Sequence, residues 1–262
     1  MLEVDILLIL ILVAFIAGFV DSIAGGGGII TIPALLLAGI PPHYALGTNK
    51  LQSSFGSFSA TIHFYRKGHL KIKENLPFII SVGVFASIGT ILIQFFDANV
   101  LSKFIPFLLI IFSIYFLFSP KIKEENSIAK LGKLGLALIL GVIGFYDGFF
   151  GPGTGSFLMF ALILFGGFGI KESLAQAKLY NFTTNIASVI FFAIGGHILY
   201  KIGLAMAVGQ FLGAYIGSKV ALKYGIKIIK PLVVIVSILA SINLLSKQYF
   251  NKSLLEIIIF SF

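Results

Sequence analysis

Cysteine is absent from this 262-residue chain. Disulfide frameworks, Cys-bound zinc, iron–sulfur clusters and thiol nucleophiles are excluded with it. Charge is nearly as scarce. Only 11% of residues are Asp, Glu, Lys or Arg, against roughly 25% in an ordinary soluble domain. What fills the space is apolar: 58% of residues are hydrophobic and the mean hydropathy is +1.06. A disordered chain, a basic nucleic-acid binder and an ordinary cytosolic enzyme are therefore excluded. What remains is an integral membrane protein that crosses the bilayer many times. The net charge of +9 is read as lysines collected in cytoplasmic loops, where they set orientation, and not as a nucleic-acid footprint.

A spanning helix needs about 20 mostly apolar residues. Uncharged stretches of this kind cover residues 76–96, 104–120, 179–200, 202–218 and 231–246, and the start, 6–20, is apolar up to Asp21. Glu3 and Asp5 precede that first run where a signal peptide would be basic, so it is read as a retained helix. Two more apolar stretches, 29–39 and 157–168, are short, and each follows a Gly-rich break, as in broken or re-entrant helices. The expected fold is an all-α polytopic membrane protein with about eight full transmembrane helices plus two short broken segments.

The chain repeats itself. Gly18-Phe19-Val20-Asp21 matches Gly144-Phe145-Tyr146-Asp147, and Gly25 and Gly27 match Gly151 and Gly153. Leu46-Gly47-Thr48-Asn49-Lys50-Leu51 matches Leu174-Ala175-Gln176-Ala177-Lys178-Leu179, and Gly68-His69-Leu70 matches Gly196-His197-Ile198. This divides the chain into a first transmembrane repeat (1–119), a linker (120–133), a second repeat (134–250) and an apolar C-terminal tail (251–262). Matching loops carry opposite lysine bias. Arg66, Lys67, Lys71 and Lys73 face only Lys201 in the second half, whereas Lys219, Lys223, Lys227 and Lys230 face only Lys103 in the first. Under the positive-inside rule such loops lie on opposite sides of the membrane, so the repeats are expected to be inverted, with 66–73, the linker and 219–230 cytoplasmic.

Ionisable groups inside a span cost about 2.5–3.5 kcal/mol each on insertion scales. Four occur as two repeat-related pairs: Asp21 with Asp147, and Lys50 with Lys178. Inversion would bring them together, each lysine beside one of the aspartates. They would form either a shared site or neutralising ion pairs that hold the bundle. The breaks Gly25-Gly26-Gly27-Gly28 and Gly151-Pro152-Gly153-Thr154-Gly155 precede the short helices. Free backbone N–H groups at such helix starts bind anions; the alternative is that the glycines serve close packing. The Ser/Thr-flanked lysine of a phosphate-binding Walker loop is missing. Gly209, Gly213 and Gly217 make a small-residue packing face.

Asn49, Gln52, Gly56, Ser59 and His63 share one helix face, as do Asn181, Thr184, Asn185 and Ser188. Such stripes face either a water-filled path or other helices. Thr48 stands beside Lys50 and is placed to contact a substrate. The remaining histidines, His43, His69 and His197, read as loop or interface residues. No metal site and no cofactor are expected.

These motifs resemble the TauE/SafE family of sulfite-exporter-like membrane proteins. The segments 18–28, 47–52, 144–152 and 177–181 are particularly similar to its YfcA-type branch of bacterial inner-membrane proteins, and the resemblance spans both halves. It implies a multi-pass plasma-membrane transporter of small anions, with sulfur oxyanions and sulfonates the usual substrates.

The expected function is a secondary active transporter of sulfite, a sulfonate or a related anion, working by alternating access. An anion channel is the alternative. Lys50 and Lys178 would supply positive charge, and Gly25–Gly28 with Gly151, Gly153 and Gly155 the backbone donors. Asp21 and Asp147 would orient the lysines or take up protons. Thr48, Asn49, Gln52, Asn181 and Asn185 complete the expected substrate site. Its partners would be the anion, a proton or sodium as coupling ion, and the bilayer; assembly as a homo-oligomer is compatible with the sequence, and nucleic acid is not a partner. An enzyme would need a nucleophile–base set or clustered ligands; the spans offer aspartates and isolated histidines.

Overall fold

A computed structural model describes residues 4–118 and 128–224. The expected span 231–246, the tail and most of the linker lie outside the described residues. The described part is helical throughout: α1 (Val4–Ala24), α2 (Gly27–Leu37), α3 (Pro42–Arg66), α4 (Leu76–Ile93), α5 (Ala98–Phe118), α6 (Lys133–Phe149), α7 (Thr154–Leu164), α8 (Ile170–Ile194) and α9 (Tyr200–Tyr224). One 3-10 turn, Lys73–Asn75, leads into α4.

Three of the described stretches are long and apolar enough to cross a membrane by length and composition alone: Val4–Ala24, Lys73–Ile93 and Tyr200–Leu222. The helices α3 and α8 are longer, at 25 residues each, but carry polar groups that are buried inside the protein. The expected stretches 6–20 and 179–200 stop too early or start too late. In the structure α1 continues through Asp21 to Ala24, and α8 begins at Ile170, well before Lys178. A charge bounds an apolar window, but it does not end a helix when an opposite charge meets it inside the protein.

The two short segments are the 11-residue helices α2 and α7. Each starts at its Gly-rich break, slightly earlier than 29–39 and 157–168, because glycine at the break already takes the capping position: Gly26 for α2 and Gly153 for α7. α2 ends at Leu37, ahead of the Pro41-Pro42 pair. Pro42 opens α3 at its first position, where the missing N–H would be unsatisfied anyway.

The element order repeats: a long helix, a short helix of 11 residues and a helix of 25 residues, twice. Lys50 and Lys178 each stand eight positions after the first residue of α3 and α8. The repeated Gly-His motif has a structural meaning. Gly68 and Gly196, both at positive φ, end α3 and α8. The following N–H groups of His69 and His197 donate back to the Phe64 and Phe192 carbonyls, which closes both helices in the same Schellman turn.

The halves interleave. α1 packs along α9 and α6 along α4, so the first helix of each half lies on the long helix that follows the 25-residue helix of the other. α3 packs on α9, α8 on α4, and α3 and α8 on each other. Glycines allow the backbones to approach at the two outer seams. A Cβ at Gly209, Gly213 or Gly217 would overlap the carbonyl oxygen of Ile11, Phe15 or Phe19, and one at Gly148 would overlap that of Ala86. The small-residue face expected on α9 is thus the α1 seam. Ser22 Oγ donates across it to the Ala214 carbonyl at 3.0 Å. Gly213→Ala should therefore lower stability by about 1–3 kcal/mol through overpacking. The check is the melting temperature of the detergent-solubilised protein, with the open position Gly39, which has no atoms nearby, changed to Asn as control.

Candidate functional site

The first element of the site is the pair of breaks themselves. Gly25, at φ 75°, turns the chain out of α1. It lies directly against Gly155: a Cβ on Gly155 would be 2.6 Å from the Gly25 Cα. Ser156 Oγ donates to the Ala24 carbonyl, so the breaks of the two halves are bonded to each other. As a result the first turns of α2 and α7 open into one small polar cavity. Gly28 and Gly155, each the second residue of its helix, line it. Neither helix is capped by the side chain of its N-cap residue, a glycine in both, although the Asp21 carboxylate accepts the first N–H of α2.

The second element is charge. Lys50 Nζ lies 2.8 Å from Asp147 Oδ1, and Lys178 Nζ lies 2.8 Å from Asp21 Oδ2. Each pair joins the two halves. The expected pairing of each lysine with one aspartate is therefore met, and it is fixed as Lys50–Asp147 and Lys178–Asp21. Three of these side chains are essentially sealed from solvent, whereas Asp21 keeps 14% of its side-chain surface accessible. Ions this deep persist only when paired and further hydrogen-bonded. Asp147 meets this fully: it also accepts from Thr154 Oγ1 at 2.8 Å, from Asn181 Nδ2 at 3.2 Å and from Thr184 Oγ1. Beyond Lys178, Asp21 accepts from the Gly27 N–H at 3.2 Å.

The structure brings most of the expected site residues to this cavity. Asp21, Gly25, Asn49 and Lys50 line it from the first half. From the second half come Asp147, Gly151, Gly153, Asn181 and Asn185. The others stand back. Lys178 lies behind the wall: it reaches Asp21, and a Cβ on Gly155 would be 3.3 Å from its Nζ. Gly26 is the cap of α2, and Gly27 is turned toward Asp21. Gln52 donates to Asn49 Oδ1 at 2.9 Å, which positions a lining residue without reaching the cavity. Thr48 does not face the cavity. It is fully buried, and its Oγ1 accepts the Leu199 N–H at 3.0 Å, so it fixes the entry to α9.

The polar stripes serve largely as interhelical contacts. Gly56 makes room for the Gln210 side chain, Ser59 donates to the Phe211 carbonyl and His63 meets the Tyr215 ring, all on the α9 side of α3. On α8, Asn185 donates to Ser57 and Ser188 receives the Thr90 hydroxyl. His43 and His197 stack at 5.1 Å where the halves meet. Burial, and then the neighbouring His43, hold the His197 imidazole below the ordinary histidine value. Two residues were missed from sequence. Ser53 lines the cavity, and Thr154 holds Asp147. Ser53 follows Asn49 by one helical turn and could have been read from that spacing.

Helices broken at a buried polar cavity, with their starts aimed into it, are the architecture of membrane transport proteins. The chain belongs to the Sulfite exporter TauE/SafE family, whose model matches residues 10–244. It is 48% identical to the probable membrane transporter protein ORF9 of Sinorhizobium sp over 246 residues, which is 94% of each chain. To the probable membrane transporter protein YfcA of Escherichia coli K12 it is 46% identical over 238 residues, 90% of this chain and 88% of that one. A probable membrane transporter protein of Haemophilus influenzae is 44% identical over 94% of this chain and 96% of its own length. No solved structure matches the chain.

Proposed function

We propose that the chain is a multi-pass inner-membrane secondary transporter of a small anion, sulfite or a sulfonate in the first instance, that works by alternating access between two inverted repeats. One observation carries the reading: two helix starts and the buried Lys50–Asp147 and Lys178–Asp21 pairs, drawn from both halves, converge on one cavity. Helix starts present backbone N–H groups and partial positive charge, and anions bind there without a dedicated cage. The name of the family adds the substrate class.

The cavity's size bears on mechanism. It measures about 20 Å³, and a single water needs roughly 10–15 Å³. A sulfur oxyanion enters only if the helices part. That favours a site that opens and closes over a standing channel. The parting surface is the α3–α8 contact, because these helices carry the lysines and meet beside the cavity through Asn185 and Ser57.

The test is stabilisation by ligand. Anything that binds only the folded state raises its stability by RT ln(1 + [L]/Kd), about 2.7 kcal/mol at a hundredfold excess over Kd. Sulfite or a small sulfonate is expected to raise the melting temperature of the purified protein, while matched chloride is not. Equal melting curves across sulfite, sulfate, thiosulfate, sulfonates and carboxylates would sink the anion site.

A further inference from the structure

The two ion pairs look equivalent in sequence and are not equivalent in space. Asp147 is surrounded. Lys50 and Thr154 bond one of its oxygens, and Asn181 and Thr184 the other. Every strong acceptor direction of that carboxylate is in use, which leaves no lone pair free for a proton. Asp21 has one partner on each oxygen, Lys178 and the Gly27 N–H, and it keeps open surface on the cavity side.

The difference is written in the sequence once the halves are aligned on their charges. At the spacing that relates Asp21 to Asp147, Thr154 falls on Gly28. At the spacing that relates Lys50 to Lys178, Asn181 and Thr184 fall on Ser53 and Gly56. Two of the three neutral donors that hold Asp147 thus have glycines as their first-half counterparts. The third counterpart, Ser53, is bonded to Gln52 and Asn49 instead.

The lysines differ in the complementary sense. Lys50 lines the cavity, whereas Lys178 sits behind Asp21. An anion in the cavity therefore meets Lys50 and the helix starts from one side and the Asp21 carboxylate from the other. Two negative groups a few ångströms apart repel strongly in a water-poor site. We infer that anion and proton enter together, the proton on Asp21 and not on Asp147. Protonation removes the repelling charge and uncovers Lys178, so the cavity changes from neutral to net positive as the anion arrives. The other titratable groups near Asp21 are Lys178 on α8, Lys50 on α3 and Asp147 on α6. α2 and α7 contain no titratable residue. On the α9 side, His63 of α3 packs against Tyr215 and Lys219 lies over the Tyr215 ring, both directed at that half-exposed tyrosine.

This inference rests on the anion-transport reading, and two measurements keep their failures apart. The first needs no substrate. Infrared difference spectra of the purified protein between neutral and acid pH are expected to contain the C=O stretch of a newly protonated buried carboxyl. Asp21→Asn should remove that band and Asp147→Asn should keep it. A band that survives in Asp21→Asn, or none in the wild type, overturns the inference whatever the substrate is. The second uses labelled sulfite in proteoliposomes. Asp21→Asn imitates the protonated state, so whatever sulfite uptake it retains should no longer respond to an imposed pH gradient, a response that in the wild type should be about tenfold or more. Gradient-driven uptake that persists in Asp21→Asn overturns the inference. A wild type with the infrared band but without sulfite exchange overturns sulfite as substrate and leaves the proton site standing.

Discussion

Lys50→Ala is expected to abolish anion-dependent stabilisation and to cost about 3–5 kcal/mol of stability, because it leaves the Asp147 carboxylate buried without its counter-ion. Lys50 is 1% exposed and Asp147 1%, so solvent cannot replace the lost partner. The two effects separate in the double variant. Lys50→Ala with Asp147→Asn removes both charges and leaves an amide that still bonds with Thr154, Asn181 or Thr184. It should recover most of the lost melting temperature and none of the sulfite response. A double variant that binds sulfite as the wild type does would make the pair a structural strut only. Lys178→Ala should cost less stability, since Asp21 retains a path to water.

Gly25→Ala is expected to be the most damaging single-methyl change at the cavity. Its φ of 75° costs an ordinary residue roughly 1–2 kcal/mol. The added Cβ would also overlap the Ser156 nitrogen and the Gly155 carbonyl carbon, both backbone atoms that cannot rotate away. Gly153→Ala provides the comparison: its φ is 83°, but the nearest atoms to its Cβ are side-chain carbons at 3.8 Å. The strain is shared and the clash is not. Melting temperature and sulfite exchange should fall well below the Gly153→Ala values in Gly25→Ala; equal losses would show that close approach of the breaks contributes nothing. By the same geometry Gly27→Leu acts through Asp21, whose Cβ lies 2.8 Å from the position of the new one.

Much of the site was legible in sequence because it consists of residues that are costly in a membrane. Asp21, Lys50, Asp147 and Lys178 stood out by rarity and by repetition, and the glycine breaks by composition. Helix limits were less legible. Windows of apolar residues stop at Asp21 and Lys178, whereas the helices run through both, because the compensating charge comes from the other half of the chain. Thr48 misled for a related reason: its neighbour in sequence is the cavity lysine, but α3 turns it toward Leu199. Thr154 was overlooked because the repeat offers Gly28 in its place, and symmetry hid the departure.

The Lys178–Asp21 bond spans 157 positions of sequence, and α1 finds its main neighbour only in α9. A chain made from its N-terminus inserts α1 long before either partner exists. Until then the first helix has an unmatched carboxylate and a side not yet covered by α9. Among the described residues, the contact that completes α1 therefore forms at the cavity proposed to bind the anion, so assembly and the proposed site depend on the same pair of charges.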